Sequence, residues 1–289
     1  MKFQVFFAEE LATPDYVHWD LFRNLELPQH VWERAVSDAH ASGLRFYSDV
    51  FGTRSLEMLE ACGADGYKIH ATDVDNTSLL EHVSIKRKPV LLSTGGRLPE
   101  EIDHALKVLE GCDITLMYGF QAEPTPLGEN HLSRIPLLRE RFGLPVGFQD
   151  HTEGASVFAW YVPYLALGLG ASVIEKHLTL SHVAELEDHV SALTGDEFAC
   201  WVAEMKKCTD ALGDANWALT SSEQDYRDKV IRAVCSVRQI PVGSRISTDD
   251  LTLLRTSDPQ AIVETSQVVG RLARIAISPH TAVREEHLQ

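Results

Sequence analysis

No run of about 18 consecutive apolar residues occurs in the 289-residue chain, so no membrane-spanning helix is expected. The opening residues, MKFQVFFAEEL, hold one lysine followed by acids and lack the basic, apolar and small-residue order of a secretory leader. Positive charge is scarce: 26 Lys and Arg stand against 42 Asp and Glu, a formal net charge of −16. Such a surface repels nucleic acid and anionic membrane. An anionic small substrate therefore needs a local pocket of cations or a metal. The five cysteines (62, 112, 200, 208 and 235) form no CxxC pair and no regular framework. They read as reduced, mostly buried thiols of a cytoplasmic protein. Low-complexity tracts are also missing.

What is present is an alternation of short β-rich runs with helix-like stretches. The runs are Phe3–Phe7, Leu44–Ser48, Gly66–His70, Pro89–Thr94, Ile114–Tyr118, Pro145–Phe148 and Ser172–Glu175. Helical patterns lie between them at Pro28–Ser42, Thr53–Cys62, Pro99–Gly111, Arg134–Phe142 and Ala155–Leu167. Glycines 43, 63, 111 and 170 fall where helices hand over to strands, as left-handed C-terminal caps do. Alternating β and α predicts a parallel sheet. Seven strands are counted, one short of the eight of a closed (β/α) barrel, and the chain starts inside the first. The expectation is a TIM-type barrel lacking its first βα unit, with an open doubly wound sheet as the alternative.

After Trp201 the character changes. Residues 1–212 read as the barrel, the polar residues 213–228 as a linker, and 229–289 as a small β-rich domain. Within the last, RQIPVGSRISTDDL and IAISPHTAVREEHL look like two copies of one unit: apolar strand, turn, short acidic helix, leucine.

Barrel active sites lie at the C-terminal ends of strands. One strand ends in Gln149-Asp150-His151-Thr152 and the next in Glu175-Lys176-His177, so His151 and His177 are expected side by side. Two imidazoles there could hold a divalent metal, although a lone strand-end His is more often structural. Lys2 and Lys68 sit inside strand runs, where an inward lysine needs an anion partner. Ser93-Thr94-Gly95-Gly96 offers N–H and O–H donors to a phosphate, or is a plain turn. Asp73 is a candidate acid or base, or a cap. The loop QAEPTP at 121–126 is stiffened by two prolines.

The order of these pieces resembles the N-acetylneuraminate (sialic acid) synthase family. The segments that carry it are KFQ at 2–4, LELP at 25–28, YKI at 67–69, PVLLSTGG at 89–96, PTP at 124–126, VGFQDHTEG at 146–154 and VIEKHLTL at 173–180. Glu187-Asp188-His189 resembles a later acidic segment, and residues 238–255 and 268–277 resemble the antifreeze-like SAF (β-clip) domain that closes such proteins. The resemblance implies condensation of phosphoenolpyruvate with an N-acyl amino sugar such as N-acetylmannosamine, giving a nine-carbon 2-keto sugar acid and phosphate. It implies a Mn²⁺ or Mg²⁺ site on His151 and His177, and phosphoenolpyruvate contacts from Lys2, Lys68, Ser93, Gln121 and Gln149. It puts Asp73 at the reacting centre beside Lys68, and Arg255 reaching into the partner's barrel of a domain-swapped homodimer.

Departures cluster at the same positions. A family Ser is Ala71, a family Asn is Gln121, a His-Cys pair is Tyr118-Gly119, a further Ser is Gln149, and a Pro-Gly is Thr256-Ser257. Two other readings stay open: a catalytically impaired paralogue that binds a sugar or phosphate or partners an active copy, and another barrel aldolase or isomerase, the aldolase forming a Schiff base through Lys68.

Overall fold

A computed structural model describes residues 1–119, 122–185 and 188–289. The chain forms two compact units, Met1–Gly213 and Asp214–Gln289. In the first, seven strands pair in sequence order: β1 (Lys2–Gln4), β2 (Tyr47–Val50), β3 (Gly66–Ile69), β4 (Val90–Ser93), β5 (Ile114–Gly119), β6 (Val146–Asp150) and β7 (Ile174–Lys176). Every pairing among them is parallel. Between them run α1 (Ala8–Leu11), α2 (Trp19–Leu25), α3 (Gln29–Ala41), α4 (Thr53–Cys62), α5 (Thr77–Lys86), α6 (Pro99–Val108), α7 (Arg134–Phe142) and α8 (Phe158–Gly168). A short parallel pair, β8 (Leu178–Thr179) with β9 (Leu193–Thr194), precedes α9 (Gly195–Leu212).

The sheet is curled, and side-chain reach proves it. In a flat sheet the four steps from β3 to β7 would span about 19 Å at ~4.8 Å per strand. Yet Lys68 of β3 lies 2.6 Å from Glu175 of β7, and Lys2 of β1 lies 3.4 Å from the same carboxylate. The result is a TIM-like half-barrel of seven strands, as the strand count predicts. Its outward side chains, among them Tyr67, Ile69, Leu92, Leu116 and Phe148, are fully buried beneath the helices and form the main core.

Local chemistry sets the helix ends. Gly63 caps α4 at φ +83°, a left-handed conformation that costs glycine little. Pro99 begins α6, and the Glu101 carboxylate accepts the Leu98 N–H at 2.6 Å.

Some expectations need correction, and the first strand already ends at Gln4 rather than Phe7. The second strand is Tyr47–Val50 rather than Leu44–Ser48, because Leu44 to Phe46 serve as a connection in which Phe46 N–H donates to the Asp65 carboxylate at 2.7 Å. The stretch read as linker carries a helix, α10 (Ser221–Val230). Thr220 and Glu223 cap it reciprocally, a box that outweighs the polar composition. Of the cysteines only Cys235 is buried, and Cys200 is exposed.

In the second unit β10 (Arg232–Ser236) pairs antiparallel with β11 (Leu251–Arg255). Val234, Ile240, Ile246, Val268, Ile277 and Val283 make its core. The two look-alike segments meet at an antiparallel Ile240–Ile277 bridge, and each ends in a single 3₁₀ turn, Thr248–Asp250 and Glu285–His287. Among the described residues no helix is long and apolar enough to cross a membrane.

Leu92, with no exposed surface, should cost about 2–5 kcal/mol when cut to Ala, whereas Leu137→Ala at a site 60% exposed should change stability by less than about 0.5 kcal/mol. Urea unfolding of the two variants checks this.

Candidate active site

Strand alternation builds the site. Gln149 is in register with Glu175, and Asp150 with Lys176. Side chains two apart share a face, so Gln149, His151, Glu175 and His177 point to the concave side while Asp150 and Lys176 point away. The outcome is that His151 and His177 do meet: their Nε2 atoms are 3.1 Å apart and their rings 4.9 Å apart at 63°. Asp188 lies on the far side of His177, its carboxylate 3.8 Å from Nδ1. Burial pushes the His151 imidazole down to about 4, with His177 adding to the effect. Burial also lowers His177, against the pull of Asp188. Both rings are thus neutral near pH 7, and neutral imidazole is the form that binds a cation.

Below the imidazoles lies a charge cluster. Lys2 pairs with Asp49 at 2.8 Å and with Glu175 at 3.4 Å, and Lys68 pairs with Glu175 at 2.6 Å. Burial opposes ionisation of Glu175, but Lys68 and Lys2 outweigh it and hold the carboxyl at about 2. Burial likewise opposes the Lys2 ammonium, and Asp49 and Glu175 overcome it, raising Lys2 above its ordinary value. Two ammoniums and two carboxylates balance. An ammonium clamped by a carboxylate is also a poor Schiff-base nucleophile.

Gln149 donates from Nε2 to Ser93 Oγ at 3.0 Å and to the Met117 carbonyl at 3.2 Å, so two predicted substrate contacts are joined. Gly119 closes β5 at φ +122°, and a Cβ there would lie 2.2 Å from the Gln149 carbonyl, which explains the glycine. Asp73 sits in the 3₁₀ turn Ala71–Asp73, its oxygens accepting from Thr72 Oγ1 at 2.8 Å and Asn76 Nδ2 at 3.1 Å. Arg255 ends β11 in the second unit, exposed and in register with Arg232. Gln121 and Glu187 lie outside the described residues.

The match to known proteins follows this geometry. The NeuB family model covers residues 1–216 and the SAF domain model residues 231–289. The chain belongs to the NeuB family. The uncharacterized protein MJ1065 of Methanocaldococcus jannaschii is 32% identical over 258 residues, 88% of this chain and 75% of that one. The N,N'-diacetyllegionaminic acid synthase of Legionella pneumophila is 27% identical over 310 residues, 100% of this chain and 86% of its own. Among solved structures, a spore coat polysaccharide biosynthesis protein E from Chromobacterium violaceum superposes with TM-score 0.82 at 25% identity, covering 97% of this chain and 84% of that one. An N-acetylneuraminic acid synthetase from Leptospira borgpetersenii, solved with citrate, gives 0.72 at 26% identity over 79% of this chain and 80% of that chain.

Three site residues of this NeuB-family chain were not singled out from sequence. Asp49 and Glu175 are the anion partners that inward lysines require, and Glu175 stands two residues before His177. His70 stands two after Lys68, the same alternation that joins 149 to 151. Burial lowers its imidazole, and Asp49 and Lys68 act on it. Its Nδ1 lies 2.9 Å from Thr72 Oγ1.

The donor set fits a dication in part. Two cis nitrogens at about 2.1 Å from a shared ion stand about 3 Å apart, close to the separation found here. Among the described residues no third His, Cys, Asp or Glu completes a cluster. Remaining positions would fall to substrate oxygens or water, which suits an exchange-labile ion.

The depressed imidazole carries a stability consequence. The unfolded chain protonates this His near pH 6.5 and the folded one near 4, so between those values the unfolded state binds more protons. Stability conferred by the neutral ring is full above about pH 6.5 and falls as pH drops through that window, by on the order of 3 kcal/mol. His151→Gln should flatten the dependence of melting temperature on pH between 6.5 and 4. An unchanged slope would count against the buried neutral ring.

Proposed function

We propose that the chain catalyses condensation of phosphoenolpyruvate with an N-acyl amino sugar, yielding a nine-carbon 2-keto sugar acid and phosphate. The observation that carries it is the 3.1 Å imidazole pair facing the same concavity as Lys2 and Lys68. The relatives named as legionaminic, pseudaminic and N-acetylneuraminate-9-phosphate synthases support the same chemistry.

In this reading Lys2 and Lys68 bind the carboxylate and phosphate of the donor as charge-assisted partners. Glu175 and Asp49 hold the two ammoniums in place between turnovers. Ser93, pinned by Gln149, and the turn that follows it offer donors to phosphate oxygens, with Gln121 as a further contact from the next loop. Asp73, steadied by Thr72 and Asn76, is the candidate acid–base group, in the turn that follows the strand carrying Lys68. A Mn²⁺ or Mg²⁺ held by His151 and His177 would polarise the sugar aldehyde as a Lewis acid. Arg255 is assigned to the partner's active site in a domain-swapped homodimer, an extension that rests on the family resemblance.

A second reading, an impaired paralogue that binds a sugar or phosphate, is favoured by one observation: both lysines are already neutralised by carboxylates. One experiment separates them. Phosphate release from phosphoenolpyruvate is measured across a panel of N-acyl amino sugars and aldoses, with and without Mn²⁺. The synthase reading expects sugar-dependent release that a chelator stops. It expects His151→Ala and His177→Ala to lower turnover more than about a hundredfold with the fold intact. Binding of sugar or phosphate without release from any sugar would leave the second reading standing.

The dimer assignment has its own check. Mixing inactive Arg255→Ala with inactive His177→Ala should restore activity through mixed dimers. No recovery in a sample shown to exchange subunits would remove Arg255 from the site.

A further inference from the structure

On the face of β6 and β7 opposite the imidazoles lies a second ion pair that the proposed chemistry does not use. Asp150 and Lys176 meet at 2.7 Å with neither side chain exposed. The other Asp150 oxygen accepts the Thr152 N–H at 2.9 Å and the Thr152 hydroxyl at 2.6 Å. Lys176 Nζ also donates to the Thr152 carbonyl at 3.4 Å. The network therefore ties the residue before His151, the residue after it and the residue before His177 into one unit.

Stability alone gives little reason for this arrangement. Dehydrating two charges costs several kcal/mol per ion, and well-packed apolar residues in place of a buried pair are often neutral or stabilising. What the pair does supply is geometry. It locks the register of β6 against β7 at the level below the rings, and the Asp150–Thr152 turn fixes the backbone that carries His151. An Nε2-to-Nε2 separation of 3.1 Å tolerates little slip, since ligands off by a few tenths of an ångström lose an ion.

We propose that Asp150, Lys176 and Thr152 are positioning residues that hold His151 and His177 at metal-binding separation from behind the sheet. This rests on the metal reading of the two histidines. The probe is Co²⁺ titrated into the full chain, read by dissociation constant and visible absorption band, with metal-free melting temperature recorded alongside.

Lys176→Met is expected to weaken Co²⁺ at least about tenfold and to alter the band, in line with losses seen on removing outer support of ligands. Thr152→Val, which deletes only the hydroxyl, should weaken Co²⁺ by a smaller factor, and Thr152→Ser, which keeps it, should match the parent chain. If Lys176→Met does not fold, the Thr152 pair of variants decides. A Thr152→Val chain that melts lower yet binds Co²⁺ with the parent's constant and band overturns the proposal, since its role would then be structural only. Lys176→Met binding like the parent overturns it equally. Failure of the parent itself to bind Co²⁺ removes the metal reading and this inference together, an outcome distinct from failure of the variants alone.

Discussion

One carboxylate anchors both the shape and the site of the first unit. Glu175 on β7 takes Lys68 from β3 and Lys2 from β1, strands four and six places away in the sheet order. Removing one member of a buried ion pair leaves an uncompensated charge, at a cost of about 3–5 kcal/mol. Without Glu175 two ammoniums would lie in the concavity with Asp49 alone to share. The curl of the sheet and the ionisation of its floor are thus one constraint.

A single rule of strand geometry then assigns duties. On β6 and β7 the even positions, Asp150 and Lys176, meet on the outer face. The odd positions, 149, 151, 175 and 177, make the chemical face. A slip of one residue in the β6–β7 register would exchange the two sets. It would bury two neutral rings under the helices and turn the Asp150–Lys176 pair into the concavity. Register is accordingly the property on which a dihistidine site depends most.

Much of this was legible in the sequence. The seven strands follow from apolar runs punctuated by glycine and from helical patterns between them, and the imidazole pair follows from two adjacent strands that both end in His. What escaped has physical reasons. The β2 boundary was missed because Leu44 to Phe46 look like strand residues while their backbone is taken up by a turn onto Asp65. The helix at Ser221–Val230 was missed because polar composition hides a capping box. Asp49 and Glu175 were invisible as lysine partners because pairing across four or six strands depends on curl, which no local pattern records. His70 was visible in principle, two residues beyond Lys68.

The acidity of the chain and the proposed anionic donor are compatible for reasons of distance. The formal charge of −16 is spread over a surface where screening acts within about 8 Å at physiological salt. Inside the concavity the partners stand at 2.6 to 3.4 Å with little water between them, so local charges decide what binds. Those charges sum to zero before any ion or substrate arrives, and neutral imidazoles add none. An anion entering such a floor gains net attraction only if a lysine trades its carboxylate for the ligand or if a cation enters with it. That balance makes the imidazole pair, rather than the lysines alone, the element that decides between a working synthase and a mere binder.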